Sequence, residues 1–460
     1  IHGNSVYFSS GTITGVDGSA DAVMGGGLFA TTYLKVSGGT FSNLEAADFG
    51  GAVYSAGDTK LAGPASFESN RASNGGAIYS KADITLSSNP TFSNNYAMSS
   101  GGAIFVEGAA QLSGPASFSS NGAGSYGGAI YSVNLTNSPD GNDITVQYDA
   151  SFTDNYTAGG GGAVFAREAD VNILGASVFE DNYGAIQSGG AIYGSTVTIS
   201  DAATFRGNSS STGGAIYSST ATVISGDAEF HGNGKNPEAV IYAQDGGAIR
   251  SLGTVDISGE VVFDDNYAIF YGGAIYANSD VGITGGGSFS SNISGQSGGA
   301  IFTGSSFTSS PSAEISFSTN RANIGSGGAI YATDALTITG KHHFVGNYAA
   351  SRGGAVAVLN GSASITSSLG NESVFRANYS IASGGAVDTV SDLTVSHAYF
   401  ESNDAQGGDG GAIYSFDTTT VSNARFTENY ASIDGGAIYS RSIFDVSDSY
   451  FKDNEAEDGG

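Results

Sequence analysis

The chain has 460 residues, of which 43 are acidic and 15 are basic, so its formal net charge at pH 7 is −28. This charge disfavours nucleic-acid phosphates and anionic membranes as partners. The absence of cysteine excludes disulfides, thiol catalysis and thiolate metal sites. Glycine is abundant (72 residues) and proline scarce (6), which argues against a collagen-like or disordered composition. No apolar stretch is long enough to insert into a membrane as a helix. The chain begins at Ile1 without a methionine, so we expect it to be a segment of a longer chain.

One short motif, Gly-Gly-Ala followed by Ile, Val or Leu and often by Tyr or Phe, recurs at intervals of about 24 to 34 residues. Copies begin at Gly50, Gly75, Gly101, Gly127, Gly161, Gly189, Gly213, Gly246, Gly272, Gly298, Gly327, Gly353, Gly384, Gly410 and Gly435. A looser copy begins at Gly25. A repeat of this length predicts a solenoid in which each unit buries its apolar side against its neighbours.

A second motif, Phe-x-x-Asn, precedes most of the Gly-Gly pairs by a few residues, as at Phe67–Asn70 and Phe263–Asn266. Between the two motifs lies a short apolar alternation such as Ile84-Thr85-Leu86. Each repeat therefore predicts three short strands separated by Gly, Asn and Ser turns. No segment sustains the apolar spacing of a helix.

These patterns predict an all-β fold, a right-handed parallel β-helix of about 16 to 17 coils that runs as one continuous domain over residues 1–460. The residue after Ile or Val is replaced by Arg250, Ala357 and Asp388, so we expect this position to face solvent. The Gly pair is expected at a corner that a Cβ would block. The Asn is expected at another corner, in a left-handed or turn conformation, with its amide stacked on its neighbours. The phenylalanines of the second motif are expected to stack in the core: Phe67, Phe92, Phe118, Phe152, Phe179, Phe205, Phe230, Phe263, Phe289, Phe317, Phe344, Phe375, Phe400, Phe426 and Phe451.

The two motifs in phase resemble the repeats of the chlamydial polymorphic outer-membrane proteins, and similar repeats occur in surface proteins of other bacteria and of protists. The resemblance covers nearly the whole chain. It implies an autotransporter-like, extracellular β-helix of the kind thought to act as an adhesin. Two departures stand out, because those passengers usually contain cysteine and the family ends in a membrane β-barrel that is not part of this sequence.

Clustered carboxylates are the main candidates for chemistry. Asp154, Glu180 and Asp181 follow phenylalanines of successive repeats and could hold Ca²⁺, as could Asp264 and Asp265 further on. The favoured interpretation is an acidic surface strip that opposes aggregation. No cluster of basic residues accompanies these carboxylates, so a polysaccharide lyase or hydrolase is the least favoured function. The histidines lack convergent partners in the sequence and are expected at the surface: His2, His231, His342, His343 and His397.

Two further features bear on the surface. Tyrosines that follow the second motif predict aromatic rows, which could stiffen the coil or contact sugars or another copy: Tyr156, Tyr183, Tyr267, Tyr348, Tyr379 and Tyr430. Asn-x-Ser/Thr sequences mark candidate N-glycosylation sites: Asn134, Asn155, Asn208, Asn292, Asn360, Asn371 and Asn378. Loop-bearing coils are expected near residues 136–148, 234–242 and 360–373.

Taken together, the sequence favours an extracellular or cell-surface structural rod that lacks catalysis and a resident cofactor. Its expected partners are copies of itself or other fibre subunits. The alternative is an adhesin or autotransporter-passenger-like protein that binds host receptors or glycans. We expect no nucleic acid as a partner and no membrane insertion by this segment.

Overall fold

The structure, a computed structural model, describes residues 1–15, 22–133, 143–310 and 313–459. These residues form a parallel β-solenoid of about 17 turns, which confirms the expected all-β fold. The described ranges contain no helix long and apolar enough to cross a membrane. Residue contacts divide the chain into two compact units, residues 1–229 with 234–242 and residues 230–233 with 243–460. Asn134 and most of the expected loop at 136–148 lie outside the described residues.

A typical coil contains four strands, illustrated by Ile78–Ser80, Ile84–Leu86, Thr91–Ser93 and Tyr96–Ala97. We call them the Ile strand, the middle strand, the Phe strand and the short strand, in chain order. The first three are the strands that the sequence predicts. The short strand, which follows the asparagine, is an addition that its two-residue length hides from periodicity analysis.

In the first unit, the Ile strands are Val53–Ser55, Ile78–Ser80, Ile104–Val106, Ile130–Val133 and Val164–Arg167. The middle strands are Asp58–Leu61, Ile84–Leu86, Ala110–Leu112, Ile144–Val146 and Val171–Ile173. Four longer strands combine both positions: His2–Phe8, Leu28–Val36, Ile192–Ile199 and Ile216–Ile224. The Phe strands are Thr12–Thr14, Gly39–Ser42, Ala65–Glu68, Thr91–Ser93, Ala116–Ser119, Ala150–Thr153, Ser177–Glu180, Ala203–Arg206 and Ala228–His231, the last of which the unit boundary divides. The short strands are Arg71–Ala72, Tyr96–Ala97, Gly122–Ala123, Tyr156–Thr157, Tyr183–Ser188 and Ser209–Thr212, and a hairpin joins Lys235–Asn236 to Ile241–Tyr242.

In the second unit, the Ile strands are Ile249–Ser251, Ile275–Ala277, Ile301–Thr303, Ile330–Ala332, Val356–Val358, Val387–Thr389, Ile413–Ser415 and Ile438–Ser440. The middle strands are Thr254–Ile257, Val281–Ile283, Phe307–Ser309, Leu336–Thr339, Ala363–Thr366, Leu393–Ser396, Thr419–Ser422 and Phe444–Ser447. The Phe strands are Val261–Asp264, Gly287–Ser290, Ile315–Ser318, His342–Val345, Ser373–Arg376, Ala398–Glu401, Arg425–Thr427 and Tyr450–Lys452. The short strands are Tyr267–Ala268, Ile293–Ser294, Arg321–Ala322, Tyr348–Ala349, Tyr379–Ser380, Asp404–Ala405 and Tyr430–Ala431.

Strands of one type pair in parallel with the same type in the next coil, like residue opposite like residue, as Phe92 pairs with Phe118. Their rings stack at 4.8 Å between centroids with 2° between the planes. The predicted core phenylalanines up to Phe426 are fully buried, while Phe451 is 42% exposed and still stacks on Phe426 at 4.9 Å. The spacing equals that of neighbouring strands, so the pairing of strands and the stacking of rings reinforce each other.

The asparagines of the second motif form a buried ladder at the corner after the Phe strand. Asn95 Nδ2 donates to Phe67 O at 3.0 Å and to Asn121 Oδ1 at 2.9 Å. The backbone N–H of Asn95 also donates to Asn121 Oδ1, at 3.1 Å. Both amide hydrogens and the amide oxygen are therefore satisfied without water, which is how a buried amide is tolerated.

Of the two conformations expected for the ladder asparagine, left-handed or turn, the left-handed one does not occur at the asparagine itself. The positive φ belongs to the residue before it, as in Ser69 (φ 54), Asp154 (φ 55) and Asp265 (φ 54). This preceding residue turns the corner, and the turn aims the asparagine side chain inward, where it bonds to the adjacent coil.

The Gly pair forms a corner in which both glycines are required. Gly327 has φ +68, where an L side chain is strained. A Cβ on Gly328 would lie 2.1 Å from Gly354 O in the next coil. The expectation that a Cβ would block this corner is therefore correct, and the reason is close backbone contact between coils.

Candidate functional site

The residue after the inward Ile or Val forms an aromatic column on the outside of the Ile strands. In the first unit, Tyr79 and Phe105 stack at 4.7 Å with 10° between their planes. In the second unit, Tyr276 and Phe302 stack at 5.0 Å, and Phe302 and Tyr331 at 5.1 Å. We call these rings and their equivalents in other coils the outer column.

The expectation that this position faces solvent is wrong for several coils. Tyr54, Tyr79 and Tyr131 are only 5–6% exposed. Rings of adjacent coils cover each other, and the residue just before Gly-Gly adds a lid, as Phe49 lies 4.6 Å from Tyr79. Comparison between repeats identified side chains that point away from the core, but it could not show that a neighbouring coil covers them.

The three polar or small replacements in the outer column have different surroundings. Arg250 lies 4.5 Å above the Tyr276 ring and its Nη1 is 2.6 Å from Asp245 Oδ2. Ala357 and Asp388 are both buried, with 3% exposure each. Burial raises the pKa of Asp388 to about 7.

The predicted calcium residues lie together at one corner of the first unit. Burial raises the pKa of Asp181, and the nearby charges of Asp154 and Glu180 raise it further, while Arg206 lowers it. Glu180 Oε1 is 3.6 Å from Arg206 Nη1, an ion pair of largely exposed groups that contributes little stability. Within the described residues, no three His, Cys, Asp or Glu side chains form a group that could hold a metal ion. The Ca²⁺ site therefore stays a prediction.

The expected loop at 234–242 contains an antiparallel pairing of Lys235 with Tyr242. With the acidic corner it borders a shallow cleft of about 430 Å³, whose lining includes Asp154, Asp181, Lys235 and Glu238. The cleft combines both charge signs on a surface where the coil pattern is interrupted.

The expected loop at 360–373 consists mostly of regular structure, because it contains the middle strand Ala363–Thr366 and the start of a Phe strand at Ser373. The exposed insertion is the short stretch between them, where Leu369 is 85% exposed. The expected carboxylates Asp264 and Asp265 lie at a corner of the second unit, where Ser290 Oγ donates to Asp264 Oδ1 at 2.6 Å.

One of the histidines is not at the surface. His342 is fully buried, with Nε2 2.7 Å from Ser309 Oγ, and burial lowers its pKa to about 4. It occupies the inward position opposite Ile315 of the neighbouring coil. The imidazole is therefore neutral and fills a place that an apolar residue occupies elsewhere.

The structure separates the candidate glycosylation sites into two groups. Asn155, Asn208, Asn292 and Asn378 are 0% exposed members of the asparagine ladder, so the folded coil leaves no room for a glycan on them. Asn360 and Asn371 are exposed. Burial thus removes these four asparagines from the list of candidate sites. The amide nitrogen of a ladder asparagine already donates hydrogen bonds inside the fold.

The expected tyrosine rows exist in part. Tyr156 stacks on Tyr183 at 5.7 Å, and Tyr348 on Tyr379 at 5.4 Å. Arg321 precedes the second pair and lies 4.3 Å from the Tyr348 ring centroid. These short rows are only partly buried, so they can both stiffen the short strands and present aromatic faces to solvent.

Comparison with known families gives one match. Eight segments match the Chlamydia polymorphic membrane protein repeat, at residues 64–81, 91–107, 115–133, 149–167, 202–219, 260–278, 314–333 and 423–441. Searches of curated proteins and of solved structures gave no match. Each matched segment includes a Phe strand, an asparagine of the second motif and a Gly-Gly corner, the features that hold successive coils together. The chain is thus a β-solenoid in which eight segments match the Chlamydia polymorphic membrane protein repeat, and these features fit a surface protein of the autotransporter-passenger type.

Proposed function

We propose that the chain is a structural scaffold at the cell surface, a subunit of a surface fibre that has no catalytic activity of its own. The observation that carries the proposal is the asparagine ladder. In most described coils of the second motif, the buried amide bonds to the coils on either side, as Asn292 does with Phe263 O at 2.9 Å and Asn320 Oδ1 at 3.0 Å. The interior is thus used for stacking coils, and the repeat family supports a surface location.

Electron microscopy of purified native material tests the fibre assignment. End-to-end or side-to-side assemblies are the expected result, and isolated particles at physiological concentration would contradict it. Surface location is tested separately by mild proteolysis of intact cells, which should release fragments of this chain while leaving an intracellular marker protein uncut.

A second candidate function is adhesion to host receptors or glycans. It is favoured by the cleft beside the 234–242 hairpin, because insertions that leave a regular scaffold are a common place for recognition. Replacing residues 235–241 by a short Gly-Ser turn should abolish attachment to host cells if the hairpin is the contact. A matched change at the exposed 368–371 stretch is the control.

Absence of catalysis is the third part of the proposal, and it needs its own measurement. Purified protein should release no product from pectin, alginate or similar acidic polysaccharides. Activity that disappears in Asp181→Asn or Asp265→Asn would contradict the structural assignment and identify the acidic corners as an active site.

A further inference from the structure

The outer column of the second unit is interrupted in two consecutive coils, where Ala357 and Asp388 occupy the ring position. Strand register places Tyr331 opposite Ala357, Ala357 opposite Asp388, and Asp388 opposite Tyr414. Rings before the interruption stack at 5.1 Å, as Phe302 does on Tyr331. Because Ala357 has no ring, the second face of Tyr331 has no aromatic neighbour at the next level, and a gap of one ring follows it.

The residue before Gly-Gly that would cover Ala357 from the preceding coil is also small. In a neighbouring coil, Tyr271 precedes Gly-Gly and its ring lies 4.8 Å from Phe302 in the next coil. Ser326 holds the equivalent place before the gap and supplies no ring over Ala357. Ala357 supplies no ring and Ser326 supplies no aromatic lid. A cavity of about 300 Å³ lies at this place, and both Ser326 and Ala357 line it. This volume is at the lower end of the range for small-molecule sites, about 300–1,000 Å³.

The floor of the cavity is a buried carboxyl group. Asp388 is 3% exposed, and its Oδ2 has no hydrogen-bond partner among the described residues. Arg352 and Ser351 also line the cavity, and the positive charge of Arg352 partly offsets the effect of burial on the carboxyl. A buried oxygen without a hydrogen-bond partner destabilises the folded chain. A ligand that donates a hydrogen bond to this oxygen removes the penalty, and the gain in free energy favours binding.

We propose that this cavity binds a single pyranose ring, the terminal or exposed sugar of a glycan. Tyr331 supplies an aromatic platform for the apolar face of the ring. Asp388 Oδ2 accepts a hydrogen bond from one hydroxyl, and Arg352 donates to a second hydroxyl or to the ring oxygen. Val358 and Leu359 complete an apolar wall. An apolar cavity with a few convergent polar groups is the usual composition of a small-molecule site.

A cationic ligand is disfavoured by comparison with another coil of the same column. There Arg250 fills the ring position, stacked 4.5 Å from Tyr276 and paired with Asp245 at 2.6 Å. At the gap, Arg352 already supplies a positive charge beside Asp388, so a second cation would be repelled. A neutral sugar ring can donate a hydrogen bond to the Asp388 carboxyl and accept one from the Arg352 guanidinium.

The inference goes beyond the structural function and does not depend on it. A coil can bind a sugar whether or not the chain assembles into fibres. An experiment that contradicts one proposal therefore leaves the other unaffected. Binding of the ring would also give the chain a receptor-recognition surface distinct from the 234–242 hairpin.

Saturation-transfer NMR with the full chain tests the proposal. The probes are the methyl α- and β-glycosides of glucose, galactose, mannose and N-acetylglucosamine, with arginine amide as the cationic comparison. At least one glycoside should bind with a Kd in the millimolar range, and arginine amide should not. Ala357→Tyr restores the residue found in most coils, so it should keep the fold, fill the gap and abolish binding. Thr337→Tyr adds the same ring at an exposed position of a nearby middle strand and should leave binding unchanged.

Two further variants separate the ligand classes. At pH 8, above the raised pKa of Asp388, Asp388→Asn should weaken glycoside binding roughly tenfold, because an amide oxygen accepts a weaker hydrogen bond than a carboxylate. Arg352→Gln should weaken glycosides also, whereas it would strengthen a cationic ligand. The proposal is overturned if none of the glycosides binds, if binding survives Ala357→Tyr, or if only arginine amide binds and Arg352→Gln improves it.

Discussion

Removing one rung of the asparagine ladder tests what holds neighbouring coils together. Asn320 Nδ2 donates to Phe289 O at 2.9 Å and to Asn347 Oδ1 at 3.0 Å. Its Oδ1 accepts from the backbone N–H of Asn292 at 3.1 Å and from Asn292 Nδ2 at 3.0 Å. Asn320→Ala removes these four hydrogen bonds and replaces a fully buried side chain by a smaller one.

The loss of stability between coils can be estimated from the hydrogen bonds that are removed and the polar groups that are left without a partner. Each bond contributes about 1 kcal/mol net, so the four together contribute about 4 kcal/mol. The loss also leaves the backbone N–H of Asn292 and one of its two amide N–H groups buried without a partner, and each such group costs about 1–3 kcal/mol more. We therefore expect the interfaces of this coil with both neighbours to weaken by at least about 4 kcal/mol. In a solenoid this loss stays local, because coils contact mainly their neighbours.

Hydrogen exchange measured by mass spectrometry resolves such a local loss better than a single melting curve. Asn320→Ala should accelerate exchange in peptides that contain Asn292 and Asn347, and leave distant coils protected. Asn278→Ala is the matched control, since the Asn278 side chain is exposed. Equal protection in the two variants would refute the view that the ladder is a main source of cohesion between coils.

Three other predictions test the corner, the buried carboxyl and the sequons. Gly328→Ala places a Cβ 2.1 Å from a carbonyl oxygen of the next coil and should lower the melting temperature strongly, whereas Gly282→Ala, whose Cβ meets nothing nearer than 3.3 Å, should not. The pKa of Asp388 is raised from 3.8 to about 7, so the folded state binds more protons than the unfolded state between these values and wild-type stability should fall by up to about 4 kcal/mol as pH rises from 4 to 7. Urea denaturation of Asp388→Asn across this range should show no such fall, and a parallel fall in both proteins would contradict the assignment. Secretion from a eukaryotic host followed by glycopeptide mass spectrometry should find a glycan on exposed Asn371 and none on buried Asn292.

Much of the fold could be predicted because the chain repeats itself. Aligning repeats shows which positions tolerate polar residues, and Phe118 and Phe317 occupy one that never does. The strand register follows, since only like-on-like stacking places every ring on a ring. The right-handed sense stays a prediction, because it rests on the general crossover rule.

The parts that could not be predicted depend on contacts between coils. Ser69 and Asp154 carry the positive φ because the turn that aims the asparagine inward lies one residue earlier than the motif suggests. Tyr79 is buried because Phe49 and adjacent rings cover it, and these residues lie in other coils. The gap at Ala357 was visible as a replacement in the repeat, but only the register of three successive coils shows that it leaves a cavity.

Some departures from the repeat find a partner within the protein, and others, Asp388 among them, leave a buried polar atom without one among the described residues. His342 replaces an inward apolar residue and bonds to Ser309 at 2.7 Å, and Arg250 replaces a ring and pairs with Asp245 at 2.6 Å. Asp388 replaces a ring in the same column as Arg250, yet its Oδ2 has no hydrogen-bond partner within the described residues. At this ring position the chain holds a buried carboxyl, next to the ring position that Ala357 leaves empty. The unpartnered oxygen of Asp388 also borders a cavity, so a ligand, and not the next coil, can supply the missing partner there.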